Sequence, residues 1–182
     1  MRIISGKFKG RRLELNNKLI ARPTTDFAKE GLFNLLNNSI YFEDLRVLDL
    51  FAGSGSIGIE FISRGCKEVI AVELSGKNCA SIRKTCEILG IDNLTIYQTN
   101  VFKFLEQSFT AFDVIYADPP YDLERLIDLP DKVLSSNFLR EDGLFILEHG
   151  AKHQFQEHPN FDSHRKYGNV HFSFFKQKTT AE

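Results

Sequence analysis

From residue 46 onward the sequence alternates between short apolar runs and amphipathic segments, and this alternation limits the fold more than any other feature. Five runs are nearly continuous in apolar residues and predict buried strands. They are RVLDLF, EVIAVEL, LTIYQTN, DVIYA and GLFILEH. The intervening segments predict helices, two of which are closed by Gly65 and Gly90. Strands of this kind are buried by helices on both faces, so the pattern predicts an α/β domain with a mostly parallel sheet.

The two ends of the chain depart from this alternation. RIISG and RRLEL are strand-like and are joined through Gly6 and Gly10, which predicts an N-terminal β-hairpin. Pro23 and the threonines after it predict the start of a helix. QFQEHPNF and NVHFSFF predict two strands with a turn and no helix between them. We therefore expect a seven-stranded sheet that ends in an antiparallel edge pair.

A glycine-rich loop follows the first predicted strand and opens the next helix. Gly53, Gly55 and Gly58 have the spacing of a dinucleotide site, and Glu73 ends the next strand, where it can accept hydrogen bonds from ribose hydroxyls. Asp49 precedes the loop, where it would repel a pyrophosphate but could accept a hydrogen bond from an ammonium. S-adenosylmethionine has an ammonium and no phosphate. The motif therefore favours S-adenosylmethionine over NAD.

Further cofactor contacts are expected next to these residues. Phe51 lies within the DLFAGSG segment itself. Asn100 ends the third predicted strand, where its amide can reach the adenine amino group or cap the following helix. The two roles are compatible. Val101 and Phe102 can flank the adenine ring.

The fourth predicted strand stops abruptly at Asp118, which Pro119, Pro120 and Tyr121 follow. Prolines cannot continue a strand ladder, so the Asp118 carboxylate and the Pro119 carbonyl become two fixed acceptors at the sheet edge where ligands bind. Two acceptors can take both hydrogens of an exocyclic amine and direct its lone pair toward a methyl donor. Tyr121 can stack on the base once it has left its helix. The motif predicts amine methylation with Asp118, Pro119 and Tyr121 as catalytic residues, on guanine or adenine alike.

Basic side chains are concentrated near the N-terminus. Residues 1–22 contain seven basic residues and one acidic residue, Glu14, whereas the whole chain has a net charge of −1. This asymmetry predicts contact with a polyanion, and we interpret it as nucleic acid. The candidate RNA-binding residues are Arg2, Lys7, Lys9, Arg11, Arg12, Arg22 and, in the basic SHRKYGN loop, Tyr167.

Five segments together resemble the RsmD family of bacterial methyltransferases, which act on the N2 amino group of a guanine in 16S ribosomal RNA. They are RIISGKFKGRRL, RPTTDFAKEGLFNLL, VLDLFAGSGSIGIEFISRG, FDVIYADPPY and KYGNVHFSFF. The resemblance covers nearly the whole chain. Its most specific part is the N-terminal arm with RPTTD, since many amino-methyltransferases share the other motifs.

The resemblance implies roles for individual residues. Cofactor and catalytic positions of the family fall on Asp49, Gly53, Gly55, Glu73 and Asp118. Thr24 and Thr25 fall where related enzymes contact the methionine carboxylate. Asn100 departs from the family pattern, in which an acid is usual, and this departure bears on how strongly adenine is held.

We therefore expect a Rossmann-like methyltransferase domain at residues 23–182, preceded by a basic hairpin arm at residues 1–22. The expected reaction is methyl transfer from S-adenosylmethionine to a guanine N2 of 16S ribosomal RNA or an assembling small subunit. The alternatives are an adenine-N6 methyltransferase acting on RNA or DNA, an NAD-dependent oxidoreductase and a noncatalytic RNA-binding module.

The remaining composition predicts a monomeric cytoplasmic protein without a metal. No apolar run approaches the length of a membrane span, and MRIISGKFKGRR has no signal-peptide pattern. Cys66, Cys79 and Cys86 form no paired framework, so we expect reduced packing residues. The spacing of the five histidines fits no metal-binding signature.

Overall fold

Helices and strands alternate through most of the chain in the structure, a computed structural model that describes residues 1–12, 25–107, 110–120 and 122–177. The helices are α1 (Asp26–Asn37), α2 (Ser56–Ser63), α3 (Gly76–Leu89), α4 (Val101–Phe104) and α5 (Leu129–Leu134). The strands are β1 (Arg46–Leu50), β2 (Glu68–Glu73), β3 (Leu94–Gln98), β4 (Phe112–Ala117), β5 (Leu139–His149), β6 (Phe161–Tyr167) and β7 (Val170–Lys176). A 3-10 turn at Leu126–Asp128 leads into α5.

The seven strands form one sheet in the order β3-β2-β1-β4-β5-β7-β6. The first five are parallel, and β7 lies antiparallel between β5 and β6. The Rossmann-like fold class and the antiparallel edge pair are therefore confirmed. The strand order reverses between β1 and β4, so their carboxyl ends diverge and leave a crevice of the kind that binds ligands in such sheets.

Helices cover both faces of the sheet. Helices α1 and α2 pack on one face against a cluster that includes Val47, Val114 and Phe172. On the other face, Phe104 of α4 and Leu129 of α5 pack in a second cluster. All three cysteines are buried and free, as expected. Within the described ranges, no helix is both long enough and apolar enough to cross a membrane.

Two expectations about the C-terminal strands were wrong in their bounds. The segment 154–160 forms no strand, and β6 begins only at Phe161, immediately after a series of turns that contains Pro159. Proline lacks the N–H that a strand ladder needs, which accounts for the later start. β6 extends to Tyr167, so this residue is the last of a strand and is not part of a basic loop.

The described part of the predicted arm, residues 1–12, packs into the main core. Its hairpin character is limited to one antiparallel bridge between Arg2 and Arg12. Ile3 and Phe8 are buried in the same cluster as α1 and α2. Gly6 approaches α2 so closely that an added Cβ would lie 1.7 Å from the Ser63 carbonyl oxygen, and its φ of +79° also favours glycine.

A buried ionic network fastens this segment to the two helices. The Glu60 carboxylate is fully buried and accepts hydrogen bonds from the backbone N–H groups of Ile4 and Ser5 at 2.8 and 3.0 Å. It also accepts one from Arg64 Nε at 2.9 Å and lies 3.9 Å from Lys29 Nζ. Lys29 Nζ donates to the Arg2 carbonyl at 2.6 Å. Burial lowers the pKa of Lys29, and the charge of Glu60 opposes this shift.

Glu60→Ala should therefore lower the free energy of unfolding by about 3–5 kcal/mol, because it leaves three donors without their acceptor and the buried Lys29 ammonium without its counter-charge. Urea denaturation followed by circular dichroism measures this loss. Glu87→Ala, at an exposed position of α3, is the matched control and should change stability by about 0.5 kcal/mol or less. A loss for Glu60→Ala no larger than that of the control would contradict the role of the network.

Candidate active site

A cavity of about 1080 Å³ lies at the carboxyl edge of the sheet, where β1 to β4 end. Its wall combines residues that follow these strands with the start of α1 and the turn between β6 and β7. Nine of the predicted site residues line it: Thr25, Phe51, Gly53, Glu73, Asn100, Val101, Asp118, Pro119 and Tyr167. The structure therefore brings together, around one cavity, residues that lie up to 142 positions apart in the sequence.

Asp49 lies beneath the glycine loop and is absent from the described lining of the cavity. Its carboxylate is buried and accepts a hydrogen bond from the Gly58 N–H at 3.0 Å. Gly58 is packed so tightly that an added Cβ would lie 3.1 Å from Asp49 Oδ2 and 3.0 Å from a Val69 methyl group. The contact of Asp49 with an ammonium stays a prediction. In its ionised form Asp49 places a negative charge at the N-terminus of α2, where a dinucleotide enzyme would place its pyrophosphate.

The loop backbone follows a path that few residue types adopt. Phe51 has a φ of +61°, Gly53 one of +54° and Gly55 one of +73°. A positive φ in a bulky residue is rare, and such strained positions cluster at functional sites. Phe51 and Gly53 line the cavity, whereas Gly55 caps α2 and faces Ile82 of α3. Gly55 thus shapes the loop without being part of the described lining.

Glu73 holds the same loop from the other side. Its two carboxylate oxygens accept hydrogen bonds from the N–H groups of Gly53 and Ser75, each at 2.7 Å. Each oxygen has a second acceptor position, so the carboxylate retains capacity for hydroxyl donors from the cavity. Asn100 caps α4 by accepting from the N–H groups of Phe102 and Lys103 at 2.9 and 3.3 Å. The capping role of Asn100 is thereby confirmed. Asn100 also lines the cavity, and its contact with adenine stays a prediction.

The charge of the described lining is entirely negative. It contains four carboxylates, those of Glu73, Asp118, Asp122 and Glu148, and no lysine or arginine. Carboxylates in a partly buried cavity attract cationic ligands and repel phosphates. This arrangement suits a ligand with a sulfonium and an ammonium, and it disfavours NAD.

The acceptors predicted from the DPPY segment lie on the side of the cavity nearest β5. The Asp118 N–H donates to the Leu50 carbonyl at 3.4 Å, which joins the end of β4 to β1. Pro119 is buried and Pro120 is exposed, and both line the cavity. Glu148, near the end of β5, lines the same side and accepts a hydrogen bond from the Tyr116 hydroxyl at 2.5 Å.

An aromatic pair forms the mouth of the cavity. Phe27 is 69% exposed, and its ring meets that of Tyr167 edge to face at 5.9 Å. The Tyr167 ring lies directly against Gly31 of α1, where an added Cβ would come within 2.1 Å of it. Gly31 therefore makes the space that lets Tyr167 reach the cavity. The exposed Phe27 and the half-buried Tyr167 can provide stacking surfaces for bases.

The remaining predicted residues fall into two groups. Thr24, Tyr121 and Arg22 lie outside the described residues. The basic residues Lys7, Lys9, Arg11 and Arg12 are exposed. Arg2 differs, because its guanidinium pairs with Asp26 at 3.3 Å and with Glu30 at 3.1 Å. Arg2 therefore anchors the N-terminal segment to α1, and its charge is already compensated.

Several lining residues were missed by the sequence analysis, among them Phe27, Leu74, Asn169 and Glu148. Only Glu148 carried a signal: it is an acid that directly follows the apolar run LFIL near the end of its strand. The histidines form no candidate metal site, since the described residues contain no group of three or more potential ligands that could hold an ion. His149 instead packs in the core, where burial lowers its pKa to about 4.

Comparisons with known proteins give a consistent result. A family described as Conserved hypothetical protein 95 matches residues 1–176. The ribosomal RNA small subunit methyltransferase D of Buchnera aphidicola subsp. Baizongia pistaciae is 31% identical, over 81% of this chain and 75% of its own. The protein of the same name from Escherichia coli K12 is 29% identical over 100% and 92%. A solved structure of a hypothetical protein from Thermus thermophilus has a TM-score of 0.84 and 27% identity, with 97% and 99% covered.

Asp49→Asn should change how stability depends on pH. Burial raises the pKa of Asp49 from 3.8 to about 7, although the Gly58 hydrogen bond opposes this shift. The folded wild type therefore binds one more proton than the unfolded chain between these pH values, and it loses stability as the pH rises through them. The neutral variant lacks this loss. The free energy of unfolding of the variant minus that of wild type should increase by at most about 1.4 kcal/mol per pH unit and level off above pH 7.

Urea unfolding at a series of pH values from 4 to 8 measures this difference. The values near pH 4 are an internal control, because Asp49 is then largely protonated in the folded protein. A difference between variant and wild type that stays constant over the whole series would contradict a buried Asp49 with a raised pKa.

Proposed function

The chain belongs to the Conserved hypothetical protein 95 family, which is the RsmD family that the motifs indicated, and from this premise we propose that it methylates a guanine N2 of small-subunit ribosomal RNA with S-adenosylmethionine. The observation that carries the proposal is the acidic cavity in which Asp118 and Pro119 face the same space as Glu73. Two relatives named ribosomal RNA small subunit methyltransferase D support the choice of RNA.

The residues around the glycine loop fit the cofactor. S-adenosylmethionine supplies an electrophilic methyl group on a cationic sulfur. Glu73 is the acceptor for its ribose hydroxyls, and Asn100 and Val101 lie where the adenine is read. An added Cβ at Gly53 would meet no atom closer than the Phe51 carbonyl oxygen at 3.8 Å, so this backbone borders open space that a ligand can fill. Thr25, which caps α1 by accepting from the Ala28 N–H, is the proposed partner of the methionine carboxylate, together with Thr24.

Asp118 and Pro119 act on the target base. The Asp118 carboxylate and the Pro119 carbonyl each accept one N–H of the guanine amine. The nitrogen lone pair is thereby freed from the ring and directed at the methyl group. Positive charge develops on this nitrogen during transfer, and the negative Asp118 stabilises it and takes up the released proton. Tyr121, with Phe27 and Tyr167 at the mouth, provides stacking surfaces for the flipped base.

The exposed basic residues of the N-terminal segment supply the contact with RNA. Lys7, Lys9, Arg11 and Arg12, with Arg22, lie along phosphates, which predicts affinity that falls steeply with salt. Residues 1–22 are thus a functional unit beside the methyltransferase domain of residues 23–182, and Glu60 and Lys29 hold the described part of this unit, residues 1–12, on that domain. We propose that the protein acts as a monomer in the cytoplasm, where its ribosomal RNA substrate is found.

The proposal is tested by transfer of tritiated methyl groups from S-adenosylmethionine to small ribosomal subunits from a strain that lacks the enzyme. We expect label in 16S ribosomal RNA, and digestion to nucleosides followed by mass spectrometry should identify N2-methylguanosine. Asp118→Ala should lower the rate by about 100-fold or more and leave the affinity for S-adenosylmethionine within about twofold, because Asp118 acts on the base.

Subunits from the parent strain are the control and should take up little label, since their site is already methylated. Label in DNA and none in RNA would overturn the proposal. N6-methyladenosine as the product would show that the target base is adenine and not guanine. Loss of cofactor binding in Asp118→Ala would assign that residue to the cofactor instead of the base.

A further inference from the structure

Asp118 and Pro119 alone do not distinguish guanine from adenine, because both bases present an exocyclic amine with two N–H groups. The bases differ at the neighbouring ring nitrogen. Guanine N1 carries a hydrogen and is a donor, whereas adenine N1 is an acceptor. A protein that reads the Watson–Crick edge of a flipped base can select guanine by placing an acceptor opposite N1.

Glu148 lies where such an acceptor is needed. In the parallel pairing of β4 with β5, Ala117 is opposite Leu147. Asp118 directly follows Ala117 and Glu148 directly follows Leu147, so the two acids occupy equivalent positions on neighbouring strands. Neighbouring strands are about 4.8 Å apart. The two carboxylates therefore leave adjacent points of the sheet edge toward the same cavity, which both residues line.

The surroundings of Glu148 keep its carboxylate in place. Glu148 is only 2% exposed, although it lines the cavity. The Tyr116 hydroxyl donates to Glu148 Oε2 at 2.5 Å, and Tyr116 itself is buried in the core. The bond from Tyr116 therefore orients the carboxylate beside the cavity, and an ionised carboxylate accepts several hydrogen bonds at once.

We propose that Glu148 accepts the N1–H of the target guanine while Asp118 accepts a hydrogen of its N2 amine. This inference rests on the proposed function and adds to it the residue that selects the base. Adenine in the same position would turn the N1 lone pair toward a negative oxygen, so that two acceptors would face each other without a proton. A buried polar group left unpaired in this way is the strongest means by which a site rejects a close analogue.

The test uses 16S ribosomal RNA prepared with guanine, 2-aminopurine or adenine at the modified position, which is first mapped in the wild-type product. 2-Aminopurine keeps the N2 amine and has an acceptor at N1. It also lacks the O6 carbonyl of guanine, so the response of the guanine to 2-aminopurine ratio to Glu148→Gln assigns the N1 contact. Values of kcat/KM are measured for wild type, Glu148→Gln and Glu87→Gln. The last variant removes an exposed carboxylate of α3 and is the matched control.

Wild type and Glu87→Gln should methylate guanine at least about tenfold faster than 2-aminopurine. Glu148→Gln should lower kcat/KM for guanine by about 10- to 100-fold. The ratio of kcat/KM for guanine to that for 2-aminopurine should fall by about tenfold, because a glutamine amide can donate to an acceptor at N1. In the same variant, kcat/KM for adenine should rise relative to that for guanine. The affinity for S-adenosylmethionine and the melting temperature should stay close to those of wild type.

Equal rates for guanine and 2-aminopurine in wild type would overturn the inference without any variant. Equal losses on all three substrates in Glu148→Gln would also overturn it and leave Glu148 as a structural partner of Tyr116. These outcomes differ from failure of the proposed function, in which wild type itself would form no N2-methylguanosine.

Discussion

The hydrogen bond from the Gly58 N–H to the buried Asp49 carboxylate determines how the rest of the site is arranged. It draws the start of α2 onto β1, and the close packing of Gly58 against Val69 leaves no room for a side chain there. Glu73 holds the opposite end of the loop through the Gly53 N–H. Two carboxylates therefore fix the glycine loop, and the negative charge at the N-terminus of α2 comes from the protein instead of from a phosphate ligand.

The same principle extends over the cavity wall. The end of β2 contributes Glu73, the end of β4 is followed by Asp118, and β5 contributes Glu148 near its own end, so that each carboxylate is fixed by a strand. In a cavity without described cationic side chains, these groups favour a positively charged cofactor and amine or imide donors on a base. One set of charges thus serves both the methyl donor and the acceptor base. The N-terminal segment completes the unit, because Glu60 and Lys29 hold it on α1 and α2.

Much of this arrangement was predictable from the sequence. The apolar runs gave the parallel strands and hence the common edge at which Gly53, Glu73, Asn100 and Asp118 meet, because local pattern and chain order determine a parallel sheet. The hydrogen bond from Gly58 to Asp49 was not predicted, since spacing shows that a carboxylate lies near the loop but not which way it faces. Glu148 and Phe27 were missed because their positions depend on the pairing of β4 with β5 and on the packing of α1. Tyr167 was placed in a loop, and its contact with Gly31 joins residues 136 positions apart.

Isothermal titration calorimetry with S-adenosylmethionine and with NAD tests the central claim, that the carboxylates of this cavity select a cationic cofactor. Wild type should bind S-adenosylmethionine with a dissociation constant in the micromolar range, about −8 kcal/mol. NAD should give no measurable heat under the same conditions, since its pyrophosphate would enter a cavity whose described lining has four carboxylates and no lysine or arginine. Binding of NAD as tight as that of S-adenosylmethionine, or no binding of S-adenosylmethionine, would contradict the account.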